Sequence, residues 1–199
     1  MRRFYSLFLV FLLVLLNGCA PPVKHMQVSP VAKLAVTQPA QGKALVVFLR
    51  ASDQYRGMQS SVFRVGSDGV LSLVGILAVR TKVAYQLEPG THLFMAIGEG
   101  AEFMTANLQP GMTYYVLIDS RPGKWKARFA LEPVRAAMLD TSEFRSSLAD
   151  CIWVEKTADS ELWAQSNRNS IEGKRAKSYP KWQAESAGKK ATLMPGDGR

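Results

Sequence analysis

Two neighbouring segments built on one pattern constrain this chain more than any other feature. Residues 83–96 and 103–118 each read as an alternating apolar run, a Pro-Gly pair and a second run. Proline presets φ for the second position of a β-turn, and glycine accepts the positive φ that a type II turn needs at its third. Leu87-Glu88-Pro89-Gly90 and Leu108-Gln109-Pro110-Gly111 are therefore expected to close two hairpins. Val83, Tyr85 and Leu87 precede the first turn, and Leu93, Met95 and Ile97 follow it. That period of two puts one face of each strand in a core.

The flanking sequence extends the sheet. Residues 43–50 form a continuous apolar run with charged ends, which suits a central strand covered on both faces. Residues 61–65 and 70–77 are joined through Gly66-Ser67-Asp68-Gly69, and Asp-Gly between two apolar runs signals a hairpin. Over residues 124–131 the alternation is cleanest. Trp125, Ala127, Phe129 and Leu131 take one face of an expected strand, and Lys124, Lys126 and Arg128 take the other. About eight short strands with regular turn signals argue for a mainly β fold, an antiparallel β-sandwich of about seven or eight strands followed by a C-terminal α-helix.

After Pro133 a short helix is expected, capped by Thr141 or Ser142 and running through Leu148, before residues 151–154 return to the core. Thr157 then reads as the N-cap of a longer helix reaching about residue 179, where Pro180 disfavours continuation. Residues 183–199 are polar and rich in Gly, Lys and Ala, the composition of a disordered basic tail.

The other end of the chain carries an address. Arg2 and Arg3 precede an almost unbroken apolar run over residues 4–16, the layout of a secretory signal and too short for the ~20-residue helix that spans a bilayer. The run ends in Leu16-Asn17-Gly18-Cys19, which resembles the lipobox of bacterial lipoproteins. That resemblance implies a signal peptide over 1–18 and a diacylglycerol-bearing, acylated (palmitate-type) Cys19 that anchors the protein in a membrane. Asn17 stands where a small or β-branched residue is usual, and an ordinary signal peptide beside a chance cysteine is the competing reading. With Ala20 rather than aspartate next, the resemblance implies the periplasmic face of the outer membrane in a Gram-negative cell. Residues 19–41 hold four prolines and no acidic residue, which reads as a Pro-rich tether, with packing of part of it onto the domain as the alternative. Some 20 extended residues reach about 65 to 70 Å.

The resulting division is signal 1–18, lipidated Cys19 and tether 19–41, β-sandwich 42–156, helix 157–182 and tail 183–199. Within the sandwich, the run over 42–50, the Asp68-Gly69 hairpin, Leu87-Glu88-Pro89-Gly90-Thr91-His92 and Leu108-Gln109-Pro110-Gly111 resemble a bacterial envelope lipoprotein family of uncharacterised function with a domain of the PEGA type. The likeness covers about residues 41–134 and rests on structural turns and core strands, so it implies a surface β-sandwich and carries no catalytic residue.

Reactive chemistry is thin. His25 falls in the tether and His92 in a strand, with only Glu99 and Glu102 as nearby acidic candidates, so no metal site is expected. Gly98-Glu99-Gly100 is half of a dinucleotide fingerprint, but Phe103 holds the third glycine position and strands flank it. Cys151 has no evident histidine partner. No enzyme, catalytic residue or cofactor is expected. Removing the signal lowers the formal charge from +9 to +7, and residues 171–199 carry seven basic and three acidic groups. The tail reads as a solvated end, with contact to anionic lipid as the alternative. Lys124, Lys126 and Arg128 form the candidate interaction face, facing an acidic protein or glycan or simply guarding an edge strand. Nucleic acid is not an expected partner. The first expectation is a non-enzymatic protein-interaction or assembly module in the envelope, and the alternative is a glycan or peptidoglycan-binding module.

Overall fold

The computed structural model describes residues 23–29 and 38–199. The expected signal over 1–18, Cys19, and Pro21, Pro22 and Pro30 of the expected tether lie outside the described residues. The strands are β1 (Met26–Val28), β2 (Ala44–Arg50), β3 (Ser60–Val65), β4 (Leu71–Leu77), β5 (Thr81–Leu87), β6 (Gly90–Ile97), β7 (Ala101–Leu108), β8 (Thr113–Arg121), β9 (Arg128–Pro133), β10 (Ile152–Lys156) and β11 (Thr192–Leu193). The helices are α1 (Ser142–Asp150), α2 (Ala158–Ser166) and α3 (Arg168–Gln183). The protein is mainly β. One sheet has the order β1-β10-β5-β2-β8-β9 and the other β11-β7-β6-β3-β4. Their facing sides share one core, with Val46, Phe48, Val83, Val116 and Phe129 from the first sheet and Val62, Phe94 and Met104 from the second.

All seven residues of β2 are buried, as its unbroken apolar run predicts. Ala44, Val46 and Phe48 enter the core between the sheets. Leu45, Val47 and Leu49 point the other way, onto Leu139, Phe144 and Cys151. The α1 segment therefore roofs the first sheet, and Thr141 caps the helix by accepting from the Phe144 N–H at 3.2 Å.

The expected antiparallel sandwich of seven or eight strands is corrected to two mixed sheets holding eleven strands among the described residues. β2 runs parallel to β8, β10 to β5 and β11 to β7. For β2 and β8 the Pro-Gly turns are the cause. Gly90 and Gly111 do take positive φ, 123° and 75°. Yet neither turn closes a hairpin, because β5 and β8 belong to the first sheet and β6 and β7 to the second. Each turn is a corner that carries the chain across the core. After two crossings β8 returns to the free side of β2 pointing the same way. The second corner is stitched to the start of β2 by Gly111 N–H to Lys43 O at 2.7 Å and Leu45 N–H to Met112 O at 3.0 Å. The true hairpins form at residues 66–69, with Gly69 at φ 81°, at 98–100 and at 122–127.

Part of the tether packs back: β1 pairs with β10, and the Met26 side chain is buried with its Sδ accepting from the Ile76 N–H at 3.4 Å. Two further expectations are corrected. The single helix over 157–182 is two. Asn167 leaves helical geometry at φ −98°, ψ 3°, and both its N–H and its side-chain amide bond Trp163 O. Such a short amide competes with the helical ladder. Conversely, Pro180 does not end α3, which continues to Gln183. Tyr179 and Trp182, on either side of that proline, both pack on Phe103, with ring centroids 5.2 and 5.5 Å away. That burial offsets the proline penalty of about 3 kcal/mol.

The tail over 183–199 is not disordered. β11 adds to the edge of β7 and buries Leu193 completely. Arg199 and Thr113 exchange both backbone hydrogen bonds, at 2.8 and 3.1 Å. The buried Tyr114 hydroxyl donates to Pro195 O at 3.2 Å, and Asp197 accepts from Arg135 at 2.7 Å. A composition typical of solvated chain thus hides one apolar anchor and a set of backbone partners.

Candidate functional site

The expected strand over 124–131 begins only at Arg128, so the candidate face of Lys124, Lys126 and Arg128 is not one strand face. Pairing of β8 with β9 stops at Arg121 opposite Arg128, and the connection over 122–127 folds around Glu99. The Glu99 carboxylate accepts from the N–H groups of Lys126 at 3.0 Å and Trp125 at 3.1 Å. These backbone donors, Lys126 first, hold its carboxyl below the usual carboxylate range. Amides committed to Glu99 are lost to the ladder, and Trp125 swings out to 82% exposure instead of entering the core. Lys124 Nζ stands 5.7 Å from the Trp125 ring centre. Arg128 is paired with Glu102.

Gly98 makes this bracing possible. A Cβ there would lie 2.7 Å from Ala127 O and 2.8 Å from the Phe129 ring. The close approach lets the Glu99 N–H reach Ala127 O at 2.9 Å, while Lys174 Nζ holds Gly98 O at 2.6 Å. Gly98-Glu99-Gly100 is therefore a scaffold for the neighbouring loop.

Beside it α3 lies across β7 and leaves a groove of about 410 Å³ lined by Phe103 and Trp182, the bases Arg128, Lys174, Lys177 and Lys181, and the acids Glu99, Glu102 and Glu185. Tyr179 and Trp182 stack at 5.6 Å on the wall. Two further clefts, of about 440 and 520 Å³, meet at the same Trp182. Lys190 covers its ring at 4.9 Å. The Trp182 indole N–H is shielded and has no hydrogen-bond partner among the described residues. Lys177 and Lys181 stand one helical turn apart and have no ionic partner among those residues. The spacing Ile171, Ser178, Tyr179, Trp182 is the signal for this wall, hidden by ending the helix at Pro180.

The remaining perturbed groups hold structure. Arg50 is fully buried, and its guanidinium donates to Gln54 O at 2.8 Å, Tyr55 O at 3.0 Å and Met58 O, with Leu77 O at 3.5 Å. It lies 4.8 Å from the Phe129 ring centre. Burial lowers its pKa to about 10, so it stays charged at neutral pH. His92 reaches Glu88 O at 2.8 Å, and His25 reaches Asp159 at 2.6 Å. Among the described residues no three His, Cys, Asp or Glu side chains gather to hold a metal.

Cys151 lies under α1, where burial pushes its thiol up to about 11. Against an ordinary value of 9.0, the thiolate fraction at neutral pH falls about a hundredfold. Native protein is expected to alkylate at Cys151 at least that much more slowly than urea-unfolded protein, as timed by mass spectrometry with iodoacetamide. Equal rates would place the thiol in solvent.

No family model and no curated protein matches this chain.

Proposed function

We propose that this chain is a lipid-anchored bacterial envelope protein of the PEGA-like kind, whose sandwich is a non-enzymatic interaction module. Cys19 carries the acyl anchor, and in a Gram-negative cell the sandwich faces the periplasm from the outer membrane. The groove under α3 takes an acidic segment of a partner protein. One observation carries this reading: Lys177 and Lys181 stand along an aromatic wall with no ionic partner among the described residues. A carboxylate-rich segment would supply the opposite charge to both lysines. The non-enzymatic part is supported by where the perturbed groups are spent: Arg50 and Glu99 brace loops, and Cys151 is a buried thiol.

The test is charge reversal. Lys177 and Lys181 are surface groups, so Lys177→Glu with Lys181→Glu changes stability by no more than about 0.5 kcal/mol per site. Envelope cross-linking with the double variant is expected to lose the adducts that the parent forms. An unchanged adduct pattern would rule out the groove. The second reading, a glycan or peptidoglycan-binding module, draws on the exposed Trp125 ring, a flat face of the kind sugars stack on. Salt-resistant retention on purified sacculi would favour it over the protein partner.

A further inference from the structure

The geometry points to a second, non-covalent membrane attachment: the Trp125 loop inserts its indole into the headgroup layer of an anionic phospholipid leaflet, with Lys124 and Lys126 at the lipid phosphates. This rests on the reading that Cys19 is acylated, because that anchor brings the loop to the bilayer.

Three observations converge. Trp125 is 82% exposed, whereas Trp153 lies under Lys82, Trp163 lies beside His25 and Trp182 packs on Phe103. An amphipathic indole with an apolar body and a polar N–H suits the boundary between headgroups and acyl chains. The exposure is also imposed by structure. Glu99 grips the loop backbone at residues 125 and 126, and Gly98 and Lys174 hold Glu99 in turn. A ring presented by a fixed loop loses less freedom on insertion than one on a mobile loop. Lys124 and Lys126, on either side, have no acidic side-chain partner among the described residues, which leaves both charges for lipid phosphate.

The third observation is where the chain enters. The Lys24 carbonyl accepts from the Gln59 side chain at 3.3 Å. Gln59 immediately precedes β3, whose Ser60 hydroxyl lies 3.5 Å from Ile97 O at the end of β6. The next residues, 98–100, are the scaffold that holds the Trp125 loop. Lys24 and Trp125 therefore sit at the same end of the sandwich. With β1 docked, the leash from Cys19 to Val23 is four residues and spans at most about 14 Å. The reach of about 65 to 70 Å expected of a free tether is gone, and an acyl chain on Cys19 draws that end of the sandwich onto the lipid.

The experiment uses residues 20–199, which keep every described element and lack the acylation site. Vesicles of phosphatidylethanolamine with phosphatidylglycerol are expected to co-sediment the protein, and phosphatidylcholine vesicles are not. Bromine on the lipid acyl chains is expected to quench tryptophan fluorescence in the parent but not in Trp125→Ser. That variant should bind about tenfold more weakly, and each of Lys124→Gln and Lys126→Gln about fivefold more weakly. Unchanged thermal unfolding of all three checks that the fold is kept. Failure of the parent to bind anionic vesicles, or binding and quenching that survive Trp125→Ser, would overturn the proposal. So would Trp125-dependent retention on sacculi in place of vesicles. Acyl-probe labelling of full-length protein and Cys19→Ser tests the anchor separately: loss of that reading leaves the vesicle result standing, and loss of the vesicle result leaves the anchor standing.

Discussion

Arg50→Met is expected to lower the free energy of unfolding by about 2 to 4 kcal/mol and to release the loop over residues 51–59. Methionine fills a similar volume, so the loss isolates the guanidinium. That group is a cation with no carboxylate partner among the described residues. Its donors go to the carbonyls of Gln54, Tyr55, Met58 and Leu77, and its face lies against Phe129. An unsatisfied buried carbonyl costs about 1 to 3 kcal/mol, less where the loop can open to water, and several are orphaned at once. Tyr55, at φ 54°, needs the support most, since a bulky residue is strained there. Arg50→Lys is expected to recover less than half of the loss, because one ammonium cannot span a fork of acceptors. Urea unfolding gives the free energy, and amide exchange reads the loop. A parental midpoint in Arg50→Met would mean that water already serves those carbonyls.

Deleting residues 190–199 is expected to destabilise the protein at least as much as Leu193→Ala, itself about 2 to 4 kcal/mol for emptying a closed apolar site. In thermal unfolding that corresponds to a fall of roughly 5 to 15 °C for a domain of this size. The deletion removes more than Leu193. It strips the β7 edge, leaves Tyr114 without its Pro195 acceptor and unpairs Arg135 from Asp197. A merely solvated tail would leave the unfolding curve where it was. That outcome would mean that β11 contributes nothing in solution.

The contrast between these ten residues and β2 explains how much was legible. Seven successive buried residues of β2 announce themselves as an apolar run, and both faces find cover. The end of the chain is held by a single leucine and by backbone groups, and backbone pairing has no residue signature. The Pro-Gly pairs signal hairpins in the sequence and form corners between the two sheets. Local φ preferences fix a turn but leave open whether the next strand pairs with the last or crosses the core. The candidate face at Lys124, Lys126 and Arg128 failed for a related reason. Alternation over 124–131 fits a strand, but a glutamate 26 residues upstream claims the amides that the strand would need. The wall under α3 was hidden by weighing Pro180 without the aromatic pair around it. Cys19 belongs to the sequence reading alone.

The parallel seam between β11 and β7, with the Arg199 to Thr113 exchange beside it, also sets a clock. A chain made from its N-terminus delivers residues 190–199 long after β7 has emerged. Until they arrive the β7 edge stays open and Tyr114 lacks its Pro195 acceptor. The second sheet therefore closes late, after the strands it is built on have already paired.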